Sequence, residues 1–242
     1  MGTVAREDNS SPRQTAPTDA GLQDWLQGID ITMAFSPASG IVISCGTVTL
    51  DLVHGKVLLI WNNRFGIYQL PKGRKDIGET MLAAAVRETY EETGVRVKPF
   101  ELMVATRATI PADELEEESR KKNPGVIEGQ LSNEFIATCV YPDPQSETEA
   151  LKIIFYFAAT ADSTGVPETE TQEDWEKLRG EWVPISEVGK KLRFKAEESV
   201  VMKAVADAAK TGYTIGTTAE AADGDIKPGI DFQERQPIPS PA

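Results

Sequence analysis

The stretch GRKDIGETMLAAAVRETYEETGV, residues 73–95, decides the fold of this chain. It reads as a helix from about Glu79 to Thr93, ended by Gly94, the residue type that most often takes the left-handed position after a helix. On a helix, Glu88, Glu91 and Glu92 stand three and four residues apart, so their carboxylates project from one face within a single turn. Leu82, Val86, Thr89 and Thr93 step along another face, predicted to pack inward, with Ala83, Ala84 and Ala85 filling the crowded first turns. Like charges this close repel by about 1 kcal/mol per pair at roughly 4 Å even in water, and a divalent cation turns that repulsion into affinity. An all-oxygen ligand set points to Mg²⁺ or Mn²⁺ rather than zinc.

The loop before the helix, Leu70-Pro71-Lys72-Gly73-Arg74-Lys75, sets three cations and a flexible backbone beside those acids. Phosphate oxygens suit it. Lys72, Arg74 and Lys75 are therefore candidate substrate-binding residues, and the pairing of metal-holding carboxylates with phosphate-holding cations suits displacement at phosphorus, with one carboxylate taking the proton of the attacking water.

These residues resemble the signature of the Nudix hydrolases: Gly, five residues, Glu, seven residues, Arg-Glu, an apolar residue, any residue, Glu-Glu, any residue, Gly and an apolar residue. Gly73, Glu79, Arg87, Glu88, Glu91, Glu92, Gly94 and Val95 fill it in register. Chance agreement at the seven fixed positions is on the order of one in a million at ordinary residue frequencies, which sets aside a merely solvated acidic helix. Thr89 departs from the pattern, which usually has a bulkier apolar side chain there, and is expected to loosen the helix packing. The resemblance implies an α/β fold, an αβα sandwich around a mixed sheet, over roughly residues 35–210. It also implies that Glu88 and Glu92 ligate cations with help from the Lys72–Gly73 backbone. Glu91 would be the base, Arg87 would orient it, and Glu79 would be structural. A further acidic ligand from outside the helix would be one of Glu128, Glu134, Glu147 or Glu149.

Outward from this segment, GIVISCGTVTL, VLLIW and FGIYQL precede it as strands; VKPFELMVATRAT and ALKIIFYFAATA follow as strands, and AEESVVMKAVADAAK as a helix. Residues 1–33 and 214–242 are expected to be disordered, leaving a domain over 34–213 with a long insertion at about 111–149. Within that insertion NEFIATCVY reads as a strand and DELEEESRKK as a short solvated helix. His54, the only histidine, reads as a turn residue between two strands, and Trp61 and Tyr68 as core aromatics with some capacity to stack on a nucleobase.

The 242 residues carry a net charge of -13, which argues against a nucleic-acid surface, and no apolar stretch approaches the length of a membrane span. Two cysteines, Cys45 and Cys139, in strand-like runs fit small buried hydrophobes and a reducing compartment, cytoplasmic or nuclear. The partner expected is thus a phosphorylated small molecule. The basic cluster Lys190, Lys191, Arg193 and Lys195 favours a highly phosphorylated one, with Lys191 and Arg193 contacting it. The end of the chain loosely resembles the diphosphoinositol polyphosphate hydrolases, the first expectation; diadenosine polyphosphates come second, and ADP-ribose, NADH and mRNA caps stay open. A Nudix-fold binding module without turnover would have lost a metal-binding glutamate, and all are present. A third reading is an interaction factor that works through its tails.

Overall fold

The computed structural model describes residues 19–111, 125–144, 146, 150–172 and 178–216. The chain divides into two compact units, Met1–Ala38 and Ser39–Ala242. In the first, the expectation of disorder over 1–33 is corrected from residue 19 onward: Asp19–Thr32 forms helix α1, continued by Met33 N–H donating to Ile29 O at 2.7 Å. Leu22, Trp25, Leu26 and Ile31 give it an apolar periodicity that the polar residues before it mask, although all four are exposed.

The second unit contains β1 (Ile41–Asp51), β2 (Lys56–Asn62), β3 (Ile67–Gln69), β4 (Lys72–Arg74), α2 (Met81–Thr93), β5 (Lys98–Pro99), β6 (Leu102–Met103), β7 (Leu131–Ser132), β8 (Ala137–Pro142), β9 (Leu151–Thr160), β10 (Leu178–Pro184), α3 (Val188–Lys191) and α4 (Lys195–Thr211). The main sheet runs β10-β2-β1-β9-β5, with β3 on β2, β4 on β1 and β8 on β9. It is mixed. β1 and β9 pair in parallel from Ile41 opposite Leu151 to Leu50 opposite Thr160, and the other pairings are antiparallel. The run VKPFELMVATRAT does not make one strand. Pro99 cannot donate to a ladder, so β5 stops after two residues, and β6 leaves to pair with β7 in a separate sheet.

Strand alternation sends Cys45 towards α2, where it packs with Ala84, Ala85 and Phe157. Val48, Leu50, Ile154 and Tyr156 face the other way, against Val200, Val201, Ala204 and Ala208 of α4. The result is an α/β sandwich with α2 on one face and α4 on the other. No helix among the described residues is long and apolar enough to cross a membrane. The tail expected to be disordered from 214 begins by docking, since Gly216 N–H donates to Leu52 O at 2.8 Å. Residues 217–242, Glu147, Glu149 and the run DELEEESRKK lie outside the described residues.

Candidate active site

Helix α2 starts two residues later than its apolar pattern suggests, because Thr80 caps it: its hydroxyl accepts Ala83 N–H at 3.2 Å. It stops at Gly94, whose φ of 71° is unstrained only for glycine. The inward face agrees with the one expected at Thr89 and Thr93 and differs elsewhere. Ala84, Ala85, Thr89, Glu92 and Thr93 are buried, Leu82 and Val86 lie at the edges, and Ala83 is exposed, because small side chains let the helix sit close on β1. Thr89 does not loosen this packing. Its hydroxyl donates to Ala85 O at 2.8 Å and accepts from Thr47 Oγ1 at 2.8 Å, which in turn accepts from Thr49 Oγ1 at 2.7 Å.

The outer part of the helix is organised by Arg87. Its Nε and Nη2 donate to the two oxygens of Glu79 at 3.0 Å each, and Nη1 donates to Glu88 Oε1 and Glu91 Oε2 at 2.8 Å each. Nη2 also reaches Arg74 O at 3.0 Å. These acids hold the guanidinium firmly protonated, with the Glu79 hydrogen bonds the largest cause. In return Arg87 draws the Glu79 carboxyl below the usual carboxylate range. Glu91 is the most open of the set, its side chain 41% exposed against 13% for Glu88. Glu92 is buried, and its Oε2 accepts Lys72 N–H at 2.7 Å. A Cβ on Gly73 would fall 1.7 Å from Glu88 Oε2, so only glycine lets β4 lie this close to the helix.

The other side of β4 has the opposite charge. Gly73 faces Glu88, so by alternation Lys72 and Arg74 face the α4 side, while Lys75 stays on the α2 side with its Nζ on Asp76 O at 2.8 Å. Arg74 lies 3.5 Å from the buried Asp143. Lys152, on β9, is half-buried; burial first, then Lys72, push its ammonium below the ordinary lysine value, against the pull of Asp143. Glu197 of α4 is buried below this patch, accepting from Tyr156 Oη at 3.0 Å and Leu70 N–H at 3.3 Å, and burial raises its carboxyl to about 7. Farther along, Lys191 Nζ stands 4.8 Å over the Tyr68 ring and 3.5 Å from Glu181, and Tyr68 packs tilted against Trp61 at 4.8 Å. Arg193 is exposed, with its backbone N–H on Tyr68 O, Lys190 is also exposed, and Lys195 is paired to Glu198 at 2.7 Å.

The NUDIX domain family model matches residues 43–205, most of the chain. The chain belongs to the Nudix family. It is 30% identical over 105 residues to an RNA pyrophosphohydrolase of Francisella tularensis subsp. mediasiatica, covering 43% of this chain and 67% of that protein. It is 28% identical over 166 residues to an RNA pyrophosphohydrolase of Shewanella baltica, covering 68% of this chain and 82% of that one. Among solved structures it is similar to an Ap4A hydrolase of C. elegans, at 18% identity and a TM-score of 0.45, over 69% of this chain and 97% of the other. The protein is a Nudix hydrolase with pyrophosphohydrolase relatives.

Of the outlying acids considered as ligands in this Nudix hydrolase, Glu128 lies 3.5 Å from Lys210 Nζ and Glu134 is exposed just before β8. Asp51, His54 and Asp162 have ligand-type atoms within 4.8 Å of one another. They serve the turns at the far end of β1: Asp51 accepts His54 N–H at 3.0 Å, pairs with His54 Nδ1 at 2.7 Å and accepts Ser163 N–H at 2.8 Å. Sequence reasoning missed Asp143, Lys152 and Glu197. Glu197 had a signal, since it shares a helical face with Val200, Val201 and Ala204 at offsets of three, four and seven.

Proposed function

We propose that this Nudix hydrolase cleaves a phosphoanhydride linkage with Mg²⁺ held by Glu88, Glu91, Glu92 and the Gly73 carbonyl. The donor set is all oxygen, and β4 lies so close to Glu88 at Gly73 that a Cβ there would fall 1.7 Å from Oε2, which leaves room beside the carboxylate for backbone alone. That close approach is the observation that carries the reading. When bound, the cation supplies charge neutralisation on the diphosphate oxygens.

The chain's own groups do the rest. Glu91, the most open carboxylate, accepts the proton of the attacking water, and Arg87 fixes its orientation through the 2.8 Å bond to Oε2. Arg87 is a positioning residue, because the same guanidinium also holds Glu79, Glu88 and the Arg74 carbonyl. Lys72 is anchored by its own N–H to Glu92, which leads its side chain to the opposite face, where it meets substrate phosphate with Arg74.

Nucleotide-linked polyphosphates are the preferred substrate class, ahead of diphosphoinositol polyphosphates. The cluster that favoured inositol is partly spent internally, with Lys191 on Glu181 and Lys195 on Glu198, whereas the Trp61–Tyr68 pair offers a half-buried surface for a base. The names of the curated relatives point the same way, and an RNA 5′ end belongs to this class. The inositol reading retains one support, the cations Lys72, Arg74 and Lys152 on one face. A panel of diadenosine tetraphosphate, triphosphorylated RNA and diphosphoinositol pentakisphosphate, with Mg²⁺ and products scored by mass, decides between them. Reversal of Lys191 and Arg193 to Glu is expected to disturb the inositol substrate more than the nucleotides. Release of no product from any of the three overturns the hydrolytic reading.

A further inference from the structure

The last turn of an α-helix leaves its final carbonyls without partners along the helix, and in α2 these belong to Tyr90, Glu91, Glu92 and Thr93. Tyr90 O is met by the N–H of Gly94 at 2.8 Å. Glu91 and Glu92 are met from elsewhere, by the segment that follows β9. Thr171 Oγ1 donates to Glu91 O at 2.9 Å, and Gln172 Nε2 donates to Glu92 O at 2.9 Å. The two carbonyls taken are those of the residues whose side chains serve as the base and as a metal ligand.

Gln172 is itself fixed from the other side. Its Nε2 also donates to Leu178 O at 2.9 Å, and its Oε1 accepts Leu178 N–H at 3.0 Å, so its amide pairs with the start of β10 as a strand backbone would. Glu92 is thereby held at both ends, its carbonyl by Gln172 and its carboxylate by the Lys72 N–H at 2.7 Å. A separate observation marks the same segment. Glu170 has a φ of 62°, the only left-handed backbone at a non-glycine residue among those described. A residue with a side chain pays for that conformation and keeps it only where its surroundings demand it. Here it immediately precedes the two residues turned onto the helix end. Water can satisfy the carbonyls of an open helix end, whereas this chain commits a strained backbone and two side chains to them.

We propose that Thr171 and Gln172 are positioning residues for the hydrolysis, Thr171 setting Glu91 and Gln172 setting Glu92 through their backbone carbonyls. These roles rest on the hydrolytic reading of the two glutamates. Groups that hold a metal ligand from behind change affinity or activity by about 10–100-fold when lost, which is the scale expected here.

The test uses the full-length chain and separates the two residues. Gln172→Leu is expected to weaken Mn²⁺ binding by about tenfold in calorimetry without substrate. In turnover of diadenosine tetraphosphate it raises half-saturating Mg²⁺ to match, with kcat recovered at saturating metal. Thr171→Val, nearly isosteric, is expected to lower kcat by about tenfold at saturating Mg²⁺ with a smaller change in Mn²⁺ affinity, and Thr171→Ser, which keeps the hydroxyl, to restore it. Tyr90→Phe is the control for loosening alone, since it removes the bond from Tyr90 Oη to Glu168 at the same helix end and touches neither carbonyl. It is expected to move the melting temperature only. Should Gln172→Leu fail to fold, the Thr171 pair carries the test. Unchanged Mn²⁺ affinity in Gln172→Leu, unchanged kcat in Thr171→Val, or equal changes in Tyr90→Phe overturn the positioning roles. A parent chain that binds Mn²⁺ in a Gln172-dependent way but releases no product keeps the tie to Glu92 and removes the activity.

Discussion

On one side of β4 the chain gathers carboxylates, and on the other it gathers cations. Gly73 turns towards Glu88, while Lys72 and Arg74 turn towards Lys152, so three consecutive residues divide the two charges. Neither side could hold its charge alone at this density without a structural counterweight. The acids have one in Arg87, a single guanidinium bonded to Glu79, Glu88 and Glu91. The cations have Asp143, 3.5 Å from Arg74, with Glu92 acting electrostatically on Lys152 and Glu197 on Lys72. The acidic side is thus organised by one guanidinium, whereas the acids that face the cations come from three separate places in the chain, Glu92 of α2, Asp143 after β8 and Glu197 of α4.

The strongest way to break this contrast is Glu91→Gln. Turnover is expected to fall by about 10²–10⁴-fold, as for loss of a general base, while calorimetric binding of tripolyphosphate stays at the parental value. Loss of both would show that the two sides are not separate. Gly73→Ala attacks the divide itself: the added methyl meets Glu88, and denaturant unfolding should show a loss of about 1–3 kcal/mol together with most of the activity. An active, equally stable Gly73→Ala would mean that β4 can withdraw from the helix without consequence.

A third measurement sharpens the basic side through pH. Glu197 has its folded carboxyl raised to about 7 by burial, above an unfolded value near 4.5, so the native state binds the extra proton. Its contribution to stability is full below pH 4.5, declines as pH rises through about 7, and then levels off. Melting temperatures across that window should decline more in the parent than in Glu197→Gln. Identical slopes would place the ionised carboxylate in the fold at no penalty. The smallest effect is expected for Thr89→Val, about 1 kcal/mol by denaturant unfolding, because Thr47 loses a hydrogen-bond partner in a buried place.

The acidic side was legible in the sequence because its residues are consecutive turns of one helix, and helical spacing alone puts Glu88, Glu91 and Glu92 on one face. The hydrophobic runs that become β1, β2 and β9 were legible for the same local reason, whereas the parallel pairing of β1 with β9 was not. The basic side was not. Lys152 joins Lys72 only through the register of three strands, and Asp143 reaches Arg74 across a sheet edge; neither relation exists until the chain has paired. The inward face of α2 was legible at Thr89 and Thr93 and misread at Leu82 and Val86, which hydrophobicity picked, when close approach to β1 buries the smaller Ala84 and Ala85 more fully. The helix Asp19–Thr32 was hidden by the polar residues around it.

The hydroxyl series from Thr49 through Thr47 and Thr89 to the Ala85 carbonyl also bears on how this sequence can change over time. Each hydroxyl hands its hydrogen to the next, so the series has a direction and ends on the helix backbone. Replacing Thr89 with the larger apolar residue usual in the family strands Thr47, and replacing Thr47 first deprives Thr89 and Thr49 of a neighbour. Each single step goes downhill, and replacing Thr47 and Thr89 together still leaves buried Thr49 without its partner, so an ordinary apolar contact needs all three changed. The threonine version and the apolar version of this helix are therefore two separate peaks for selection, and a lineage on one crosses to the other only by changing both strand and helix together.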